Sequence, residues 1–95
     1  MAIVTIRMRP EDLTNPDADL RYVLPDLLAA RSDGTIRDGG YDYDDDHTMT
    51  VFLEVDEPAA ALALVRRVLA EEEVMGNDLS GVVELAVAPE DGAGG

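Results

Sequence analysis

Apolar and polar residues alternate through positions 48–55, and this period of two predicts a β-strand with one apolar face. The apolar positions are Met49, Val51, Leu53 and Val55, and the opposite face carries Thr48, Thr50, Phe52 and Glu54. A helix over 57–73 is predicted next, because apolar residues then recur at helical spacing. They are Leu62, Val65, Val68 and Leu69. This order predicts a helix that packs its apolar stripe on a sheet, with Asp56 as a carboxylate that accepts free N–H groups at the helix start.

The first half of the chain predicts a strand and a helix. Residues 2–8 alternate, and Pro10 ends that strand because proline cannot donate to a sheet ladder. Asn15 and the following proline read as the N-terminal cap and first position of a helix that runs to position 31. Its buried leucines are Leu20, Leu24, Leu27 and Leu28. Pro25 interrupts this pattern and predicts a kink, and Gly34 is the predicted left-handed residue at the helix end.

Two further strands complete the predicted elements. Residues 35–43 form a weaker strand, in which the pair Gly39-Gly40 predicts a bulge or an edge position. Residues 44–47 connect it to the strand at 48–55. The turn at 76–78 leads to a fourth alternating strand at 81–88, and the Gly- and Asp-rich residues 89–95 are predicted to be a flexible tail.

The element order is therefore βαββαβ, which predicts a single ferredoxin-like α+β domain over 1–88. Two right-handed split βαβ units give a four-stranded antiparallel sheet in the order 4-1-3-2, with two helices on one face. The first and third strands are the most regular and are predicted to be central. The glycine-broken second strand is predicted to be an edge.

Charge is the most unusual property of the composition. Among 95 residues, 21 are acidic and seven are Arg or Lys, all of them Arg, so the net charge is −14. Such a surface repels nucleic-acid phosphates and anionic lipids, and it predicts no nucleic-acid or membrane partner. The same field accelerates encounter with a basic protein. Compositional drift in a salt-adapted or high-GC genome would also produce this excess of acidic over basic residues.

The densest charged group lies between the second and third strands. It comprises Asp42, Asp44, Asp45, Asp46 and His47. On a strand, alternate carboxylates stand about 6–7 Å apart, which is too wide for one ion unless the loop bends. The calcium-loop pattern also fails, because Leu53 occupies the position of its bidentate glutamate. Three interpretations remain: a solvated hairpin tip, an acidic contact surface, and a divalent-metal site at Asp42, Asp44 and Asp46.

Two tyrosines, Tyr41 and Tyr43, precede this acidic tip. Rings beside carboxylates suit a surface that binds arginine or lysine, and cross-strand packing on an edge hairpin is the alternative. The uncovered face of the sheet is a second predicted contact surface, suited to a protein rather than to RNA. Its residues are Thr5, Arg7, Thr50, Phe52, Glu54, Val82, Glu84 and Ala86.

Catalytic and cofactor motifs are absent from the sequence. There is no cysteine, no G-x-S-x-G, P-loop or H-E-x-x-H pattern, and His47 is the single histidine. Neighbouring carboxylates favour its protonated form, which suits a salt bridge better than a general base. These observations predict a chain that is not an enzyme and uses no cofactor. The absence of a basic, apolar leader predicts a cytoplasmic protein.

Three segments together resemble small bacterial ferredoxin-like proteins of unknown function, and more loosely the small acidic immunity proteins of toxin–immunity pairs. They are Gly39-Gly40-Tyr41 with the acidic tip, residues 50–56, and residues 63–69. Immunity proteins neutralise a partner by occlusion, so the resemblance implies a non-enzymatic inhibitor. The sequence thus predicts a protein-binding domain that presents its acidic hairpin to a basic partner. The alternatives are a homodimeric, ACT-like small-molecule sensor, joined by the open sheet face or the 82–87 edge, and a divalent-metal-binding protein.

Overall fold

The computed structural model describes residues 2–88, so the predicted tail at 89–95 lies outside the described residues. The elements are β1 (Ala2–Met8), α1 (Leu20–Arg31), β2 (Ile36–Tyr43), β3 (Met49–Val55), α2 (Pro58–Glu71) and β4 (Val83–Ala88). A single 3-10 turn at Pro10–Asp12 follows β1. The predicted βαββαβ order is confirmed, and the bounds of β1 match the predicted strand. Neither helix in this part of the chain is both long and apolar enough to span a bilayer.

The four strands form one antiparallel sheet in the order β2-β3-β1-β4. This is the predicted order 4-1-3-2 viewed from the opposite edge. The two most regular strands, β1 and β3, are central, while β2 and β4 are the edges. In the central pair Val4 lies opposite Leu53 and Ile6 lies opposite Val51. The apolar faces of the two strands are therefore in phase.

One hydrophobic core joins this face of the sheet to both helices. Its strand residues include Val4, Ile6, Val51, Leu53 and Val55, all without solvent exposure. The helices contribute Leu20, Leu24 and Leu28 from α1 and Ala61, Val65, Val68 and Leu69 from α2. The predicted stripe of α2 needs one correction, because Ala61 is buried whereas Leu62 is half-buried at the core margin. A small residue lets that turn of the helix approach the sheet closely.

The predicted side-chain cap of α1 is wrong. The helix begins at Leu20, and Asp17 rather than Asn15 organises its entry by accepting the Asp19 N–H at 2.9 Å. Asn15 is held elsewhere: its N–H donates to the Asn77 side-chain oxygen at 2.7 Å, and its carbonyl accepts from the Asn77 amide at 2.8 Å. A long-range contact thus replaces the local cap. The helix continues through the buried Pro25 to Arg31.

The start and end of α2 also differ from the prediction. The N-cap residue of α2 is Glu57, which makes no side-chain cap hydrogen bond, and the Asp56 carboxylate pairs with Arg37 at 3.0 Å, which lowers its pKa. At the other end, Glu72 has an extended backbone, so the helix ends two residues before the predicted position 73. Carboxylates at a helix C-terminus oppose the helix dipole, which explains the early end. The last strand is shorter too: β4 begins at Val83 rather than at the predicted position 81, and Val82 packs against the core just before it.

Two glycines set the geometry of turns that the sequence predicted. Gly34 has φ +86°, and its N–H donates to the Ala29 carbonyl, so the predicted left-handed end of α1 is confirmed. Gly40 has φ +103° within β2, where the pairing with β3 shifts by one residue between Asp38 and Tyr41. The predicted bulge is therefore confirmed. The Asp38 carboxylate accepts the Gly40 N–H at 2.8 Å and holds it in place.

An arginine on α1 joins the C-terminal ends of the two helices. The guanidinium of Arg31 binds Glu71 at 2.7 Å and also binds Glu72. Hydrogen bonding from Arg31 lowers the pKa of Glu71 below its ordinary value. Because the folded pKa is lower than the unfolded one, this pairing contributes its full stability above the ordinary glutamate pKa of about 4.3. The contribution is lost as the pH falls through the folded pKa.

We expect Arg31→Gln to be less stable than the wild type at neutral pH, and this difference to shrink as the pH falls below about 4. At low pH both proteins lose negative charge, which reduces the repulsion among their carboxylates. Comparing the two proteins at the same pH cancels this common effect. Urea unfolding followed by circular dichroism from about pH 7 to about pH 3 measures the difference. A difference in the free energy of unfolding that stays constant over this pH range would contradict the stabilising pair between Arg31 and Glu71.

Candidate functional site

All three tyrosines of the chain meet on one exposed surface at the edge formed by α1 and β2, although sequence analysis linked only two of them. The ring centroids of Tyr22 and Tyr41 are 6.2 Å apart, those of Tyr41 and Tyr43 are 5.8 Å apart, and both contacts are edge-to-face. The side chains remain 49%, 41% and 38% exposed, respectively. We call Tyr22, Tyr41 and Tyr43 the tyrosine cluster.

The bulge in β2 places the tyrosines on this side of the sheet. Before the bulge Asp38 pairs with Leu53; without the one-residue shift, Tyr41 would lie opposite Thr50 on the open face. The shift instead pairs Tyr41 with Val51, so its ring lies on the helix side. Asp42 takes the place opposite Thr50. The predicted partner-binding residues are therefore divided between two faces.

Arg21 occupies the ring faces of the tyrosine cluster. Its guanidinium carbon lies 4.7 Å from the ring centroid of Tyr22 and 4.8 Å from that of Tyr41. Burial lowers the pKa of Arg21, but the neighbouring tyrosines outweigh this and raise it above the ordinary value. Its Nε atom is buried and has no hydrogen-bond partner among residues 2–88. The cation–π site that the sequence suggested for a partner is thus filled by the chain's own arginine.

The loop after Tyr43 carries exposed carboxylates on a fixed turn. We call Asp44, Asp45, Asp46 and His47 the acidic hairpin. The Asp44 N–H donates to the Thr48 carbonyl and the His47 N–H donates to the Asp44 carbonyl, both at 2.9 Å. His47 adopts φ +68°. Thr48, whose N–H donates to the Asp46 carboxylate at 3.1 Å, lowers the pKa of this carboxyl.

An apolar cavity of about 140 Å³ lies between the tyrosine cluster and the acidic hairpin, and we call it the end cavity. Its apolar lining consists of Met8, Pro10, Leu13, Pro16, Ala18 and Met49. Tyr43, His47 and Asp17 complete the wall. Met8 and Met49 lie opposite each other on the two central strands, and the loop before α1 closes the other side. The cavity therefore opens at the end of the sheet where the hairpin turns.

The uncovered sheet face carries the residues assigned to it, apart from Val82. Thr5 lies opposite Phe52 and Arg7 lies between Thr50 and Glu84, so these residues share one face with Glu54. Arg7 also binds the Asp44 carboxylate at 2.8 Å. Arg37, opposite Glu54 on the same face, binds the Asp56 carboxylate at 3.0 Å. The pair between Arg7 and Asp44 joins this face to the acidic hairpin and compensates one charge on each.

The predicted metal candidates are not brought together. Asp42 accepts the Tyr43 N–H at 2.9 Å, Asp44 binds Arg7, and Asp46 accepts the Thr48 N–H at 3.1 Å. No group of three or more His, Asp or Glu side chains with metal-binding geometry occurs among residues 2–88. Asp42 and Asp46 therefore have partners within one or two residues along the chain, and Asp44 has its partner on β1.

Sequence analysis missed Tyr22 and the end cavity. The sequence offers one signal for Tyr22: this tyrosine lies outside the predicted leucine stripe of its helix, so its large ring is expected on the exposed side. The cavity residues carry no such signal, because Met8 and Met49 read as core positions and Pro16 as part of a helix cap.

No protein-family model, curated protein or solved structure matches the chain.

Proposed function

We propose that this chain is a non-catalytic, ferredoxin-like protein-binding domain whose tyrosine cluster and acidic hairpin together bind a basic partner. One observation carries the proposal: all three tyrosines form a single exposed cluster that continues, through Tyr43, into the acidic hairpin. Tyrosine and arginine are the residues most enriched among those that dominate binding energy. Because Arg21 covers the rings of Tyr22 and Tyr41, the cluster supplies contact area, and the charge that attracts a basic partner comes from the hairpin carboxylates.

The rigidity of the hairpin supports binding by preformed carboxylates. Backbone hydrogen bonds hold the turn between Asp44 and Thr48, and the Asp46 carboxylate closes it from within. A loop that is already ordered loses less conformational entropy on association. The net charge of −14 adds long-range attraction for a cationic surface. A basic protein whose functional site is covered by this surface would be inhibited by occlusion, as the resemblance to immunity proteins suggests.

The chemistry of the end cavity supports binding rather than catalysis. Its polar wall residues are Asp17, Tyr43 and His47, and among the lining residues of the described chain there is no serine, threonine or lysine nucleophile. His47 is exposed on the turn, where its backbone is held in a left-handed conformation. We therefore assign no reaction to this site.

Neutralising the hairpin is the direct test. We expect the triple variant D44N/D45N/D46N to lose the partner that wild-type protein captures from a lysate of its native host. The matched control D33N/E57Q/E73Q also removes three negative charges, but from exposed positions outside the hairpin, and it should still capture the partner. Raising salt from about 50 mM to about 300 mM should weaken capture by the wild type, because screening shortens the range of the field. Equal capture by the hairpin variant and the wild type would overturn the proposal.

A second candidate is a homodimeric regulatory domain joined through the β4 edge. The observation that favours it is a groove beside this edge, between α2 and β4, lined by Arg66, Leu69, Ala70, Ser80, Val83 and Leu85. Val87 on the same strand is 42% exposed. An unpaired edge strand with an adjoining groove of mixed polarity can accept the same strand of a second copy.

Light scattering separates the two candidates. A β4-paired dimer should have twice the monomer mass of 10.2 kDa, and a Val87→Lys variant should shift it to monomer, because pairing would remove the charged lysine side chain from water. High salt should favour the dimer, because the net charge of each chain opposes association. A monomer mass at all concentrations up to about 0.5 mM, where even interactions of about −4 kcal/mol populate a dimer, excludes this candidate.

A further inference from the structure

We propose that the end cavity receives one bulky apolar side chain of the partner, and that carboxylates at its rim bind basic residues next to that anchor. This inference rests on the proposed function and names the recognition element within it. The target would be a segment in which a leucine, isoleucine, methionine or phenylalanine is flanked by arginine or lysine.

The size of the cavity selects an anchor rather than a metabolite. Its volume is about 140 Å³, which is close to the ~150 Å³ apolar cavity that accommodates benzene in an engineered protein. Pockets for small-molecule ligands usually span about 300–1,000 Å³. One branched aliphatic or aromatic side chain matches the volume of the end cavity, which lies below the usual range for small-molecule pockets.

The lining of the cavity suits adaptable apolar contacts. Met8 and Met49 face each other across the central strands, and Leu13 and two prolines complete the apolar wall. Methionine side chains are flexible and polarisable, so they reshape around different apolar groups. The cavity is thus expected to rank side chains by bulk more than by exact shape.

The charge around the opening specifies the residues that flank the anchor. Asp17 forms part of the wall, and Asp46 directly precedes the wall residue His47 in the chain. Glu11 and Asp12 are exposed on the turn between Pro10 and Leu13, which both line the cavity. Carboxylate residues therefore adjoin the lining residues in both the hairpin and the loop before α1. An occupant with cationic side chains one or two residues from its anchor is complementary to this arrangement.

Tyr43 connects the anchor site to the tyrosine cluster. One part of its side chain lines the end cavity, and its ring packs against Tyr41 at 5.8 Å between centroids. A peptide that places its apolar residue in the cavity therefore lies beside the exposed tyrosines. These rings supply further contact area at a low cost in side-chain entropy.

Synthetic peptides test the inference directly. The probes are extended peptides with a central leucine flanked by arginines, the same peptide with a central alanine, and the central-leucine peptide with flanking glutamates. We expect the first to bind the wild-type protein at least about tenfold more tightly than the second, because burial of about three more carbon atoms favours it. The third should not bind. Fluorescence anisotropy at about 50 mM salt measures the affinities.

A variant and a spectroscopic readout locate the contact. Ala18→Leu places a larger side chain at the cavity wall from an exposed position, and it should remove the preference for leucine while weak binding through arginine persists. In wild-type protein carrying ¹³C-labelled methionine methyl groups, the leucine peptide should shift the signals of Met8 and Met49. The methyl signal of Met75, which does not line the cavity, is the internal control.

The outcomes separate the two levels of the proposal. Equal affinity for the leucine and alanine peptides, with unmoved Met8 and Met49 signals, overturns the anchor site and leaves the acidic surface as the binding element. Failure of both arginine-containing peptides to bind overturns the anchor site together with the proposed preference for a basic partner. Loss of leucine preference in Ala18→Leu, with retained folding by circular dichroism, supports the inference.

Discussion

Replacing Leu53 by alanine is expected to remove roughly 3–5 kcal/mol from the free energy of unfolding. Leu53 has no solvent exposure and lies in the middle of β3, opposite Val4 on β1 and Asp38 on β2. Its truncation leaves a cavity between the two central strands and the helices, where neighbouring backbone cannot move in to fill it. A domain of this size has a total stability of only about 5–14 kcal/mol, so the loss is a large part of the whole.

Leu64→Ala is the matched control for this substitution. Leu64 is a half-buried leucine on α2, at the margin of the same core. The same atoms are removed there with little cavity formation, and alanine favours the helix, so the expected loss is below about 1.5 kcal/mol. Urea unfolding followed by circular dichroism measures both variants. If Leu53→Ala lowers the free energy of unfolding by no more than Leu64→Ala does, β3 is not the centre of the core.

The second large effect is expected from Asn77→Ala, with a loss of roughly 2–4 kcal/mol. Asn77 is 1% exposed, and its side chain bonds both backbone groups of Asn15. It also donates to the Val74 carbonyl at 3.1 Å. Alanine would leave the Asn15 N–H without its acceptor and would remove the donor to the Asn15 carbonyl. Leaving such groups unpaired costs more than the hydrogen bonds themselves contribute.

Asn15→Ala is a sharp control, because it changes the other asparagine of the same contact. The Asn77 side chain bonds the backbone of Asn15, and those bonds survive this substitution. The variant loses only the exposed hydrogen bond from the Asn15 amide to the Met75 carbonyl, so its cost should not exceed about 1 kcal/mol. Similar losses in the two variants would show that Asn77 does not hold the loop before α1.

Asn77 also links stability to the candidate site. The loop that it holds continues into Pro16, Asp17 and Ala18, which form one wall of the end cavity. We therefore expect Asn77→Ala to weaken binding of the leucine-centred peptide more than binding of the alanine-centred one. The peptide assay described above measures this difference under conditions in which the variant remains folded.

Periodicity predicted the sheet and its core well. The alternation in β1 and β3 identified central strands whose apolar faces are in phase, and Val4, Ile6, Val51 and Leu53 are all buried as expected. This succeeds because a period of two fixes which side of a strand each residue faces. Helix ends were predicted less well. Asn15 and Asp56 have side chains that suit a cap, but the Asn15 amide donates to the Met75 carbonyl and the Asp56 carboxylate binds Arg37 instead.

Only part of the candidate site could be predicted. Tyr41, Tyr43 and the acidic hairpin stood out because aromatic and charged residues are conspicuous in the sequence. Tyr22 and Arg21 did not, since their proximity to β2 depends on how α1 packs. The end cavity requires three separate segments to converge: the strand ends at Met8 and Met49, the hairpin, and the loop before α1. No local pattern encodes such a convergence.

By itself, the sequence determined the elements, their apolar faces and the acidity of the surface, because these follow from residue type and spacing along one segment. Tertiary structure decided which side of the sheet each contact residue faces. The bulge at Gly40 moves Tyr41 to the helix side and Asp42 to the open side, and Arg21 fills the ring faces that the sequence left free for a partner. The pairing register between strands and the packing of a helix beside them are set by contacts between distant segments, and spacing within one segment carries no record of them.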